Sequence, residues 1–350
     1  MAERVGAAGL TAAVVPVHSV SAAQIRDVLE QASDAPCEHS GVTRFGPLPV
    51  VVRSTDAGMV EHALRHSSGD PASAPWAPIT VHLLDRSTIA TDRFPAGLTA
   101  RPPNSDGPSW VFVDQSCVAT SSSSMLWLAD AVGRRALRWT ETPAEVPEWE
   151  AMRPLRFALR WAAAQQGAAM LHCAAVAGPA GAVLLVGSGG AGKSTTSFAC
   201  VGSGLHLLGD DYCIVEPSDG SATVHATYVL GTLDDNSLTL LPHLRERVIG
   251  PAPRGKSLVT LDSFHDHLSA PVVAACAVVQ APGERTRLVP MSRMTLLRAL
   301  APSTLVQIPG VSRETFAAAA EVVRRVDTYQ LRVGDLGGVP RVLGDLVGLG

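Results

Sequence analysis

The sequence predicts an α/β fold with a mixed α+β domain ahead of it, and three observations carry that expectation. The stretch Gly187-Ser188-Gly189-Gly190-Ala191-Gly192-Lys193-Ser194 meets every fixed position of the pattern G-x-x-x-x-G-K-[ST]. An apolar run at 182–186 precedes it and a helix-compatible segment at 195–201 follows, so strand, loop and helix come in succession. Residues 167–187 have His172 as their one clearly polar side chain, and that length would suit a membrane span. Gly178-Pro179-Ala180-Gly181 is turn chemistry, however, and divides the run into buried strands at 170–177 and 182–186.

The residue types of the loop state a chemistry. Glycines let backbone N–H groups converge on phosphate oxygens, a lysine reaches the β- and γ-phosphates, and the serine hydroxyl ligates Mg²⁺. The chain has 28 Lys plus Arg, of which two are lysines, Lys193 and Lys256. A chain that otherwise uses arginine places a lysine in this loop, where a compact ammonium suits a phosphate cradle better than a guanidinium fork. A glycine-rich turn between strand and helix is the alternative reading.

Taken in order, the first half predicts strands at 48–53, 79–84 and 110–114. Loops rich in Pro, Ser, Gly and Asp separate them at 67–78 and 94–109, and the serine run 121–124 reads as a further loop. His62 and His66 share a helical face at i, i+4 spacing but lack a third ligand, so they read as surface histidines. Residues 143–147 mark a domain boundary, which gives an accessory domain at 1–147 and a catalytic domain at 148–350. Residues 148–166 read as helix, with Leu155, Leu159 and Ala163 on one face, Arg153, Arg156 and Arg160 on another, and Pro154 in the first turn.

After the glycine loop, Asp210-Asp211 lies between two apolar runs within 205–216. Such a pair at a strand end can hold Mg²⁺ through water or accept a proton, or it can be a polar turn. Strands follow at 223–229 and 258–261, the second after Pro253-Arg254-Gly255-Lys256-Ser257. That loop repeats Gly-Lys-Ser without the upstream glycine spacing, so it is either a charged arm that reaches a phosphate or a solvated basic loop. A buried strand at 272–279, helices at 291–300 and 312–326 with Ser312 as N-cap, a strand at 328–333 and a helix at 339–347 complete the chain. Phe264-His265-Asp266-His267 reads as surface polarity rather than a metal cluster.

Composition narrows the classes. A hydrophobic content of 46% against 17% charged residues supplies a sizeable core. A net charge of −4 gives no general attraction to nucleic acid or anionic lipid. The six cysteines form no C-x-x-C pair and read as buried free thiols, which suits a reducing cytoplasm. The first 20 residues lack the basic-then-apolar build of a signal peptide.

The order His172 on a strand, turn, strand, glycine loop, helix and then Leu207-Leu208-Gly209-Asp210-Asp211 resembles the catalytic domain of bacterial HPr kinase/phosphorylase. It equally resembles that enzyme's relatives in peptide natural-product clusters, including lasso-peptide kinases. The resemblance implies a P-loop domain of the HPr kinase/phosphoenolpyruvate carboxykinase type. It also implies a Mg²⁺-dependent kinase that moves the γ-phosphate of ATP to a hydroxyl of a peptide, a protein or a small metabolite. Gly187 to Ser194, with Thr195 and Lys256, would bind the nucleotide, and Ser194 and Asp211 the metal. One of Asp210 and Asp211 would be the base, with Asp210 preferred. His172 would lie near the phosphates, or else be a satisfied core histidine.

Relatives of this kind form hexamers, so a homo-oligomer is expected. Two departures point to a tailoring kinase rather than an HPr-directed one: Thr195 stands where HPr kinases carry Glu, and a Glu-Val-Arg-Gly-like segment is missing. No Asn-Lys-x-Asp base-reading motif is present to favour guanine. A nucleotide-binding switch without a phosphorylated acceptor is the alternative from another class.

Overall fold

The computed structural model describes residues 20–95, 98, 109–112, 116–121, 125–260, 268–306 and 312–349, and its architecture is mixed α/β. The first layer holds α1 (Ala22–Asp34), β1 (His39–Phe45), β2 (Leu48–Ser54), α2 (Ala57–Arg65) and β3 (Ile79–Asp85). It continues with β4 (Ser109–Phe112), β5 (Cys117–Ser121), β6 (Met125–Asp130) and β7 (Arg135–Thr140). The seven strands form one sheet in the order β1-β2-β3-β7-β6-β5-β4, parallel at β2/β3 and β3/β7.

Helix α1 begins at a capping box in which Ser21 and Gln24 satisfy each other's backbone N–H groups. Its Ile25, Val28, Leu29 and Ala32 cover one face of the sheet, over Leu126, Leu128, Leu137 and Trp139. The other face carries α2 and, from the second half of the chain, α4 (Arg156–Gln165). Phe45, Val50, Leu83 and Trp127 share a core with Leu159, Met170, Ile214 and Tyr228, so apolar packing runs across residue 147.

The helix expected over 148–166 is two helices, α3 (Glu148–Met152) and α4. Proline bars its predecessor from helical backbone, and Arg153 accordingly has φ −138° and ψ 74°. Leu155 then takes a left-handed φ of +63° before α4 begins. The expected surface position of the histidines is also corrected. His66 is buried at 2% exposure, and the His62 ring bonds the Ala151 carbonyl at 2.7 Å. Burial and the neighbouring His62 push the His66 pKa down to about 3.

The second half contains β8 (Ala169–Leu171), β9 (Ala174–Gly178), β10 (Gly181–Val186), α5 (Lys193–Phe198), β11 (His206–Gly209), β12 (Cys213–Ser218) and β13 (Ser221–Ala226). Next come β14 (Leu230–Asp234), α6 (Asp235–Leu240), β15 (Val248–Ala252), β16 (Lys256–Thr260) and β17 (Ser269–Gln280). The last are β18 (Arg287–Pro290), α7 (Arg293–Val306), α8 (Ser312–Arg325), β19 (Asp327–Val333) and α9 (Val339–Leu346). A nine-stranded mixed sheet runs β11-β9-β10-β17-β13-β12-β8, with β19 and then β18 attached to β17. A three-stranded antiparallel sheet, β14-β16-β15, stands beside it.

All six cysteines are free, five of them buried. Among the described residues no helix is long and apolar enough to cross a membrane. The His265-Asp266-His267 segment, the serines 122–124, most of the 94–109 loop, the start of the chain and the Ser312 side chain lie outside what is described.

Candidate functional site

Strand β10 is buried along its whole length, with β9 antiparallel on one flank and β17 parallel on the other. Its pairing with β17 is long-range, whereas β9 precedes it through a tight turn, and its chain continues from Val186 into the glycine loop. Gly187, Gly190 and Gly192 take φ of +149°, +79° and +90°, conformations that L side chains resist. A Cβ on Gly192 would stand 2.3 Å from Gln280 Nε2, whose amide donates to Ala191 O at 3.2 Å. Gln280 thus closes the loop from the end of β17. Nothing lies within 4 Å of a Cβ placed on Gly189 or Gly190, so this side of the loop opens outward.

Lys193 opens α5 and is buried, and its Nζ donates to the carbonyls of Gly187 (2.9 Å) and Ser188 (3.1 Å). Burial lowers its pKa, while the charges of Asp211 and Asp210 raise it. Two residues on, the hydroxyls of Thr195 and Ser237 meet at 2.8 Å and tie α5 to α6.

The acidic pair arrives by a crossing. Strand β8 pairs with β12, whereas β9 pairs with β10 and β11. The chain therefore changes neighbours at His172-Cys173, and again at Asp210-Asp211-Tyr212 between β11 and β12. The two changes face each other. His172, expected on a continuous strand, lies in this break, because no single strand can serve both partners. Asp211 turns the corner at φ +78°, a conformation Asp tolerates better than most residues.

The crossing assembles the charges. His172 Nε2 lies 2.9 Å from Asp211 Oδ1, and Arg153 Nε lies 3.2 Å from Asp211 Oδ2. Arg153 Nη2 reaches Asp210 Oδ2 at 3.8 Å. The His172 ring stacks on Tyr212 at 5.3 Å, and its backbone N–H donates to Thr304 Oγ1 at the end of α7. Burial opposes ionisation of Asp211, but the hydrogen bond from His172 and the charge of Arg153 hold its pKa well below the usual carboxylate range.

Asp210 differs from its neighbour. It is buried at 2% exposure, and burial together with the charge of Asp211 raises its pKa against the pull of Arg153, the Ser194 hydroxyl and the Thr232 N–H. Its Oδ2 accepts from Thr232 N at 3.4 Å, and its Oδ1 has no hydrogen-bond partner. Next to it Gly231 leaves room for the Phe198 ring, which a Cβ would meet at 2.3 Å.

Lys256 begins β16, paired in register with Asp234 of β14. Its charge acts on Lys193, so the two lysines of the chain share one electrostatic neighbourhood. The loop residues, Lys193, Ser194, His172, Asp210 and Asp211 are thereby brought into one region, on which Lys256 acts through its charge. Arg153, Thr232, Ser237, Gln280 and Thr304 belong to it as well, although the sequence singled out none of them for this place. Arg153 alone carried a signal, as a member of the arginine face with Arg156 and Arg160.

Among the described residues no group of three or more His, Cys, Asp or Glu is arranged to hold a metal. The oxygen groups here that could help to hold a hard cation are the Ser194 hydroxyl and Asp210, whose Oδ1 makes no hydrogen bond, with the remaining positions left to water or phosphate. No family model matches the chain, and no curated protein matches it.

Proposed function

We propose that the chain is a Mg²⁺- and nucleotide-dependent kinase, a P-loop domain of the HPr kinase/phosphoenolpyruvate carboxykinase type, acting on a hydroxyl of a peptide, protein or small metabolite. One observation carries this reading. The same chain crossing that sets Asp210 against Ser194 of the glycine loop sets Asp211 at 2.9 Å from His172. On this reading a phosphate cradle, cation ligands and a proton acceptor would lie next to one another, as phosphoryl transfer requires.

When bound, MgATP supplies a phosphoryl group whose charge the ion partly neutralises. The protein's share is positioning and charge. Loop N–H groups would face the phosphate oxygens, except that of Ala191, which donates to Ser188 O at 3.2 Å, and Lys193 would exchange its two loop carbonyls for them. Ser194 and Asp210 would hold the cation. The incoming hydroxyl would deliver its proton to the Asp211–His172 pair at His172 Nδ1, which makes no hydrogen bond, while Asp211 engages Nε2 and Arg153 and Tyr212 keep the pair in place. This exchanges the roles expected of the two aspartates. The reason is geometric: both oxygens of Asp211 are already engaged, by His172 and Arg153, while Oδ1 of Asp210 makes no hydrogen bond. Lys256 adds positive charge that acts on Lys193.

Incubation with γ-labelled ATP and extract from the producing cells tests the reading. Label on a hydroxyl-bearing acceptor, lost with Lys193→Ala, supports a kinase. Label found only in free phosphate would favour a nucleotide-binding switch.

A further inference from the structure

Arg153, on an arginine face with Arg156 and Arg160 in the sequence, stands beside both aspartates in the structure. Its guanidinium is 1% exposed, yet only Nη1 makes a hydrogen bond, to the carbonyl of the adjacent Met152 at 2.9 Å. Nε and Nη2 have no hydrogen-bond partner and face the two aspartates instead, at 3.2 Å from Asp211 and 3.8 Å from Asp210. A buried cation with incomplete hydrogen bonding is poor material for stability, because desolvation offsets much of its attraction to the carboxylates. Its placement is nevertheless fixed from three sides.

Glu150, fully buried, accepts the Leu155 N–H at 2.8 Å, which holds the left-handed corner just after Arg153. Tyr228 Oη donates to Pro154 O at 3.0 Å, and the Tyr228 ring lies under the guanidinium at 5.6 Å. From the first sheet, Arg138 Nη1 faces Glu150 Oε1 at 3.7 Å. A leucine held at positive φ persists only where its surroundings over-determine it, and such strain gathers at functional sites.

We propose that Arg153 is a positioning residue of the phosphotransfer site, a rigid fork that keeps Asp210 and Asp211 in their separate roles and is itself held by Glu150, Tyr228 and, through Glu150, Arg138 of the N-terminal sheet. The inference rests on the kinase reading. It assigns the N-terminal domain a part in catalysis: that domain supplies the far end of the support under the aspartates. The fork matters as well as the charge, since lysine would keep one and lose the other.

The test uses the full chain, with MgATP hydrolysis to water as the rate and a fluorescent ADP analogue as the binding probe. Arg153→Lys is expected to lower kcat about 100-fold, the cost of an ångström-scale misplacement, with KM for ATP and ADP affinity within about twofold of wild type. Tyr228→Phe releases the Pro154 carbonyl while leaving the ring, and is expected to lower kcat about tenfold with nucleotide affinity again unchanged. It carries the test should Arg153→Lys fail to fold. Wild-type kcat in Arg153→Lys, or in Tyr228→Phe where that variant carries the test, would overturn the inference alone. So would a loss of nucleotide affinity in parallel with the rate, which marks a merely structural role. A wild-type protein that binds no ADP analogue overturns the kinase reading and this inference together.

Discussion

The chain spells Gly-Lys-Ser twice, once with each of its two lysines, and the two copies fold differently. Gly192-Lys193-Ser194 follows β10, whose neighbour β17 runs parallel to it. A parallel neighbour forbids an immediate return, so the chain leaves the sheet through the glycine loop and winds into α5. Gly255-Lys256-Ser257 instead follows β15, which pairs antiparallel with β16. There Arg254 and Gly255 take φ of +60° and +66°, the two positive values a type I′ hairpin turn demands, and Lys256 is already in the ladder. The tripeptide does not choose between the outcomes. The direction of the neighbouring strand does, and the upstream Gly187 spacing is the local trace of it.

Four substitutions would break or sharpen this contrast. The largest effect belongs to Lys193→Ala, expected to lower γ-phosphate transfer about 10³-fold, with the far-UV circular dichroism spectrum unchanged. Gly192→Ala comes next. With φ at +90° and Gln280 Nε2 2.3 Å from the new methyl, the loop must shift, and affinity for an ADP analogue should fall about tenfold to 100-fold in a titration. Equal affinity in this variant would mean that the loop's observed shape is not the binding shape.

Lys256→Ala should lower the hydrolysis rate about tenfold at low salt, and less at high salt, where its action on the Lys193 neighbourhood is screened. A salt-independent loss would point to a direct phosphate contact instead. The smallest effect is that of Gly255→Ala. It should destabilise the hairpin by about 1 kcal/mol, read as a lower urea midpoint, and leave nucleotide affinity as it was. If it impaired nucleotide binding as strongly as Gly192→Ala, the two loops would not be distinct in role.

What was legible in the sequence is what local chemistry dictates. The glycine loop, the β9–β10 hairpin around Gly178 to Gly181 and the acidic pair each announce themselves within a few residues. The capping box Ser21-x-x-Gln24 was equally local and marks the start of α1, although the sequence reading passed over it. The break at Pro154 followed a known rule, yet the left-handed Leu155 after it depends on Glu150 and Tyr228. Arg153, Thr304 and Gln280 were not legible as site residues. Each is brought in by pairing across long stretches of chain, as when Thr304 meets His172 over 132 positions. Apolar content, likewise, says that His66 can be buried but not which surface covers it.

The crossing at His172-Cys173 and Asp210-Tyr212 has a consequence for how the molecule assembles. Neither group of paired strands contains the acid–imidazole contact by itself, since β8 and β12 lie on one side of the seam and β9 and β11 on the other. One strand, β17, is common to both sides, pairing with β13 near its start and with β10 and β19 further on. The acid–imidazole contact therefore needs both groups held in register, and β17 spans the two. Amides in the middle of β17 should be the slowest to exchange with deuterated solvent, and their opening should coincide with loss of the site rather than precede it.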